Sequence, residues 1–166
     1  MSVRRAAPED IAPIYRTLTT VIREGGYLMS AVPPEFPHFC RFMEANMTIG
    51  APVWVALKGD SVVGWCDVHP RGADVQRHVG KLGMGVARAH RSRGLGGRLL
   101  AAAVEHAWQA GFTRLELEVF ADNQAAIRLY ESRGFEREGF HPRIRLSGKG
   151  YQDAFTMGLL HPDLRS

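Results

Sequence analysis

The stretch HRSRGLGGRLL, residues 90–100, sets arginines and glycines directly ahead of a row of leucines. Leu95, Leu99, Leu100, Ala103, Val104, Ala107 and Trp108 recur at helical spacing, which predicts a helix from about 95 to Gly111. The segment before it, HVGKLGMGVAR at 78–88, reads as a strand whose glycines mark a bulge or a close backbone approach. A strand that runs through a glycine turn into a helix leaves the first-turn N–H groups without partners, and the aligned peptide dipoles favour an anion there. Glycine lets the backbone come close to that anion, so a pyrophosphate fits the helix start. GxxxxGKS/T is absent, and Gly96 is followed three residues on by Leu99 rather than by glycine. The two common nucleotide fingerprints are therefore not met.

Upstream, VRRAA reads as a short strand. Pro8, Glu9 and Asp10 suit a first helical turn, and Ile11, Ile14, Leu18, Val21 and Ile22 extend the helix to about 23, where Gly25 and Gly26 stop it. Residues 27–38, with Pro33, Pro34 and Pro37, form a loop, and a short helix is expected over 38–46. VWVAL and SVVGWCDV make a hairpin about Lys58-Gly59-Asp60, and the polar residues 70–77 read as a loop. Downstream, TRLELEVF at 113–120 alternates as a strand, and Asp122 or Asn123 caps a helix over 124–133 that ends at Gly134. Two last strands, about 135–146 and 151–160, join through Ser147–Gly150. No repeat or linker breaks the pattern, so residues 1–166 read as one α/β domain.

Composition excludes several classes. No apolar run reaches eighteen residues, and MSVRRAAPED has no apolar secretory core, so neither a membrane span nor an export signal is expected. Cys40 and Cys66 have no metal-type or redox-type spacing and read as two buried free thiols of a cytoplasmic chain; no metal site is expected. The net charge of +4 comes from 18 arginines against 3 lysines. They are scattered, without a basic run interleaved with aromatics, so no nucleic-acid partner is expected.

Two motifs carry a resemblance. Arg91-x-x-Gly94-x-Gly96, behind the strand bearing Met84-Gly85-Val86, resembles the acetyl-CoA loop of the GNAT superfamily of N-acetyltransferases. Thirty residues on, Asn123-Gln-Ala-Ala-Ile-Arg-Leu-Tyr130-Glu-Ser-Arg-Gly134-Phe135 is similar to that superfamily's second signature, N-x-x-A-x-x-x-Y-x-x-x-G-F. The likeness covers nearly the whole chain and is weakest over 27–50. It implies a mixed, mostly antiparallel twisted sheet of six to seven strands, about four flanking helices, and a V-shaped splay between two parallel strands. The cofactor's pantetheine arm would lie in the V, served by the backbone near Met84, Val86 and Arg88. The pyrophosphate would rest on the N–H groups of Arg91, Ser92, Arg93, Gly94, Leu95, Gly96 and Gly97, with charge added by Arg91, Arg93 and Arg98.

The implied reaction is attack of an amine on the thioester. The amine must first lose a proton, the oxyanion needs a donor such as the Val86 N–H, and the departing thiolate benefits from a proton donor. The resemblance assigns that last role to Tyr130, with Asn123 at the helix cap or on the pantetheine. Glu118, twelve residues before Tyr130, resembles the base of the ribosomal-protein N-terminal acetyltransferase branch. Glu116 shares its strand face, opposite Leu115, Leu117 and Val119, and is a candidate acceptor contact. Asp67, His69 and His78 are further candidate bases. GYQDAFTM at 150–157 resembles the bacterial branch that acetylates small amines and amino acids, and Tyr27, Met29 and Phe36 are candidates for lining an acceptor pocket. The expectation is thus an acetyl-CoA-dependent N-acetyltransferase of a small amine, working as a homodimer. Acetylation of protein N-termini, a non-catalytic acetyl-CoA binder and a nucleotide-binding module stand as alternatives.

Overall fold

A computed structural model describes residues 1–72 and 74–165. The elements run β1 (Ser2–Arg5), α1 (Ile11–Glu24), α2 (Phe36–Thr48), β2 (Val53–Lys58), β3 (Ser61–Pro70), β4 (Val79–Val86), α3 (Leu95–Gln109), β5 (Arg114–Phe120), α4 (Gln124–Ser132), β6 (Glu136–Ser147) and β7 (Gly150–Leu160). Seven strands form one sheet in the order β1-β2-β3-β4-β5-β7-β6. Every neighbouring pair is antiparallel except β4 and β5. This is the mixed sheet with four helices that the sequence implies.

Two boundaries differ from expectation. The turn Pro8–Asp10 is 3-10 rather than α, and it is tied to β1 by Arg4, whose guanidinium donates to Asp10 at 2.7 and 3.0 Å. Helix α2 begins at Phe36, with Pro37 inside its first turn, where a missing N–H costs nothing.

The sheet buries both faces. Leu99, Leu100, Ala103 and Ala107 of α3 and Ile127 of α4 pack with Cys66, Val68, Leu115 and Met157 on one face. On the other, Ile14 and Val21 of α1 and Phe39 and Met43 of α2 pack with Val53, Val55 and Trp65. Cys66 is buried and Cys40 is partly exposed, and both are free, so the expected pair of buried thiols holds for Cys66 only. Pro142 lies in edge strand β6 where its register shifts, between His141 and Arg145, a place that tolerates a residue lacking N–H. Among the described residues no helix is long and apolar enough to cross a membrane.

The pairing of β4 with β5 positions the site. Val79 pairs with Arg114, Gly80 with Leu115 and Lys81 with Glu116, and there the ladder stops. The two strands come together over Gly80, where an added Cβ would sit 2.4 Å from Val68 and 2.9 Å from Leu115. Beyond Lys81 both strands continue, to Val86 and Phe120, without pairing to each other.

Candidate active site

A cleft of about 1170 Å³ opens where β4 and β5 part. The edge of β4 that faces it can be read from the hydrogen bonds on the opposite side. Ala87 N–H donates to the Val63 carbonyl and Arg71 N–H donates to the Val79 carbonyl. Backbone direction alternates along a strand. The N–H and C=O groups of Leu82, Met84 and Val86 therefore point into the gap. Arg91 Nε donates to the Val86 carbonyl at 2.8 Å, so one of these groups is already engaged.

At the mouth of the cleft, Ser92 (φ 60°) and Gly94 (φ 76°) take left-handed conformations that turn the chain into α3. Gly94 caps the helix, and the bond from Arg98 N–H to the Gly94 carbonyl is the first of the helical ladder. The N–H groups of Leu95, Gly96 and Gly97 thus lie free at the positive helix end. A side chain at Gly96 would crowd this cradle, since its Cβ would lie 3.3 Å from Leu129 and 3.6 Å from Met84. His90 Nδ1, buried on the cleft wall, has no partner among the described residues. The cradle fits an anion with further polar groups.

Ser92, Gly94, Leu95, Gly96 and Gly97 line the cleft, as do Met84, Val86 and Arg91. Three predicted cofactor residues do not. Arg88 falls in a 3-10 turn past the end of β4, so it does not extend the strand edge. Arg98 points away and donates to the Met1 carbonyl at 3.2 Å. Arg93 is exposed and off the cleft wall.

The two glutamates of β5 diverge although they share a face. Glu116 is 6% exposed and is held by Arg71 at 2.8 Å and by Arg114 at 3.7 Å. It lies off the cleft wall, so its expected acceptor contact is corrected to an ion pair that closes the base of the V. Glu118 is exposed on the wall and forms no salt bridge among the described residues. The difference is position along the splay. Glu116 sits at the last paired register, against Lys81, whereas Glu118 lies beyond it.

On the opposite wall, α4 presents Tyr130 and Asn123. Asn123 caps the helix by accepting from Ala126 N–H at 3.3 Å. Tyr130 packs against Phe135, with ring centroids 5.8 Å apart. Its hydroxyl makes no hydrogen bond to the described residues. Burial, with a smaller contribution from Cys66, pushes the phenol far above its ordinary value, so it stays protonated across working pH.

Residues 25–34 cross the remaining side. Tyr27 and Met29 line the cleft, whereas Phe36 packs on Tyr15 at 5.0 Å and stays off its wall. The segment is tied down at three points. The Arg91 guanidinium stacks 4.3 Å over the Tyr27 ring while pairing with Glu24 at 2.8 Å. Arg145 donates to the Leu28 carbonyl at 3.1 Å, and Tyr15 to the Pro34 carbonyl at 2.7 Å.

A family model described as the acetyltransferase (GNAT) family matches residues 24–135, from the end of α1 through α4 and Phe135. The chain belongs to this family. It is 32% identical over 136 residues to the N-alpha-acetyltransferase RimI of Mycobacterium tuberculosis, covering 71% of this chain and 82% of that one. It is also 32% identical over 105 residues to the L-amino acid N-acetyltransferase AaaT of Escherichia coli, covering 62% and 64%. Against two further curated relatives the chain spans only 26% and 51% of their length. Among solved structures, yncA from Salmonella typhimurium with its cofactor acetyl-CoA superposes with a TM-score of 0.92 at 23% identity, over 100% of this chain and 96% of that one.

In this GNAT chain several cleft residues escaped sequence reading. Phe42, Trp65, Lys81 and Gly83 line the wall and belong to no motif. One signal did exist, in the alternate glycines of β4. An added Cβ at Gly85 would sit 2.5 Å from the Trp65 ring, and one at Gly83 would sit 3.4 Å from Asp67 Oδ1. His78, weighed as a base, is not on the cleft wall, while Asp67 and His69 are.

Proposed function

We propose that this protein transfers the acetyl group of acetyl-CoA to the primary amine of a small molecule of amino-acid type. The observation that carries the reading is the splay itself. A strand edge with the N–H and C=O groups of Met84 and the N–H of Val86 turned into the gap leads directly to the unpartnered N–H groups at the start of α3. Such an edge suits an extended pantetheine arm, and such a helix start suits its pyrophosphate. The cleft exceeds the roughly 300–1000 Å³ of ordinary ligand pockets, which leaves space for a second reactant.

Acetyl-CoA supplies the activated thioester. The chain supplies position and proton traffic. Met84 and Val86 hold the arm by backbone, and the Val86 N–H faces the place where oxyanion charge develops. Tyr130, kept neutral by burial, donates to the leaving thiolate. Support for a small acceptor comes from the anchored 25–34 segment, which bounds the far end of the cleft, and from the likeness to AaaT. Acetylation of protein N-termini is the second reading, favoured by exposed Glu118 at its spacing from Tyr130 and by the likeness to RimI.

The test is thiol release from acetyl-CoA over a panel of L-amino acids, amino-acid amides, polyamines and short peptides. Turnover with a free amino acid or its amide is the expected result, and turnover with peptides alone overturns the small-acceptor reading. We read the protein further as a cytoplasmic homodimer. Exposed Phe140, Ile144 and Leu146 on edge strand β6 are the candidate contact, and a monomer by sedimentation would refute it.

A further inference from the structure

On the acceptor side of β4 lies a cluster that the family motifs do not include. Trp65, Asp67 and His69 alternate along β3 and so share one face of the sheet. Asp67 is only 7% exposed, yet both its oxygens are held. Trp65 Nε1 donates to Oδ1 at 3.2 Å, and Oδ2 lies 3.3 Å from His69 Nδ1. An ionised carboxylate can only accept, so the proton between them belongs to Nδ1. That fixes the tautomer and leaves the lone pair on Nε2, which has no partner among the described residues. Phe42 of α2 sets its ring edge-to-face against the imidazole, centroids 4.9 Å apart, and fixes the ring plane.

The opposite strand carries glycine across from two of these three residues. Trp65 pairs with Gly85, Asp67 with Gly83 and His69 with Lys81. Directly opposed residues of an antiparallel pair lie on the same face. On β4 only hydrogen atoms therefore face Trp65 and Asp67, while the Lys81 side chain stands opposite His69. Phe42, Trp65, Asp67, His69 and Gly83 all line the same cleft as Tyr130 and Glu118.

We propose that His69, oriented by Asp67, is the base that takes the proton from the acceptor ammonium, and that the acceptor enters against Phe42 and Trp65. This rests on the acetyl-transfer reading above. His69 Nε2 takes one proton from R–NH3+, and the freed lone pair forms the C–N bond to the thioester carbonyl. The carbonyl electrons return as the C–S bond breaks. The thiolate receives its proton from Tyr130, which is reprotonated by the second proton leaving the former amine nitrogen, and His69 returns its own proton to water. Glu118 stands across the gap on β5, and no side chain among the described residues pairs with it to orient it. Imidazole is the side chain most often used as a general base. The charged groups about His69 are Asp67 on its own strand and Lys81 opposite it. Glu116, beyond Lys81, is engaged by Arg71 and Arg114, and α2 presents the apolar Phe42 ring.

The experiment compares His69→Gln, Asp67→Asn and Glu118→Gln, each assayed with the acceptor that the wild type turns over, amino acid or peptide. His69→Gln is expected to lower kcat/KM for the amine on the order of 100-fold and to abolish the acid limb of its pH profile, with the acetyl-CoA Kd and Tm unchanged. Asp67→Asn shifts that limb, and Glu118→Gln keeps it. In a His69→Ala variant, added imidazole restores part of the rate, which a purely structural role would not allow. Wild-type kcat/KM and an unmoved acid limb in His69→Gln overturn the proposal. A limb lost only in Glu118→Gln does the same. Turnover confined to peptides overturns the small-acceptor reading but leaves the His69 effect measurable.

Discussion

Gly85→Ala probes the packing that holds the acceptor side of the cleft. Gly85 does not need a positive φ, so the substitution meets no backbone strain; its consequence is steric. The new methyl would sit 2.5 and 2.6 Å from two atoms of the Trp65 ring, well inside contact distance. Trp65 is 4% exposed and packs with Val53, Val55 and Met43, so its ring cannot retreat without disturbing the core under α1 and α2. Overpacking of this kind costs about 1–3 kcal/mol. For a chain of this length each kcal/mol lowers Tm by about 2–4 °C, so a fall of roughly 2–12 °C follows. Displacing the ring also draws Trp65 Nε1 from Asp67, which adds a loss of kcat/KM for the amine. Gly83→Ala is the control two residues away on the same face. Its methyl would meet Asp67 Oδ1 at 3.4 Å, an ordinary contact, and its Tm should stay within about 2 °C, since changes away from a clash cost little. The assay is thermal unfolding by circular dichroism with Trp fluorescence recorded in parallel. Equal Tm values for the two variants would refute the steric reasoning.

Tyr130→Phe should lower kcat on the order of 100-fold with little change in the acetyl-CoA Kd; wild-type kcat under conditions where chemistry limits the rate would remove its role as donor. Gly96→Leu should raise the acetyl-CoA Kd by at least about tenfold, measured by calorimetry, because its side chain fills the cradle beside Met84 and Leu129. A pH dependence of stability follows from His106. Burial and then Arg5 hold its imidazole below the ordinary value, against a weaker opposing bond to the Gly50 backbone, while Trp54 Nε1 donates to its Nδ1 at 3.2 Å. The unfolded chain therefore takes up this proton first. The stability contribution is full above the unfolded value near about 6.5 and is lost as pH falls through the folded one. Denaturant melts from pH 8 to pH 5 should show a flatter decline for His106→Gln than for wild type, and parallel declines would contradict the assignment.

The elements and the cleft residues at the start of α3 were legible in the chain because their signals are local. Helical spacing of Leu95, Leu99 and Ala103, the cap at Asn123 and the glycines at 94, 96 and 97 act within a few residues of themselves, so order along the chain suffices to read them. The two motifs also placed Tyr130 opposite the strand that carries Met84. The acceptor half depends on pairing across strands, which no local pattern encodes. The sequence put Glu116 and Glu118 on one face, with only the resemblance singling out Glu118 as the base. Only the end of the β4–β5 ladder at Lys81 separated a buried ion pair from an exposed carboxylate. Arg88 was expected to extend the strand edge for the pantetheine arm and Arg98 to add charge at the pyrophosphate, yet the 3-10 turn and the helix phase carry both away from the cleft. In the same way Asp67 and His69 were two of several candidate bases until register set Asp67 against Gly83 and α2 laid Phe42 on the imidazole. Composition and periodicity determined which segments fold and where a helix begins with free N–H groups behind glycines, since these are properties of the local backbone. Tertiary structure decided which side chains meet across the cleft, because register and burial are properties of the assembled sheet.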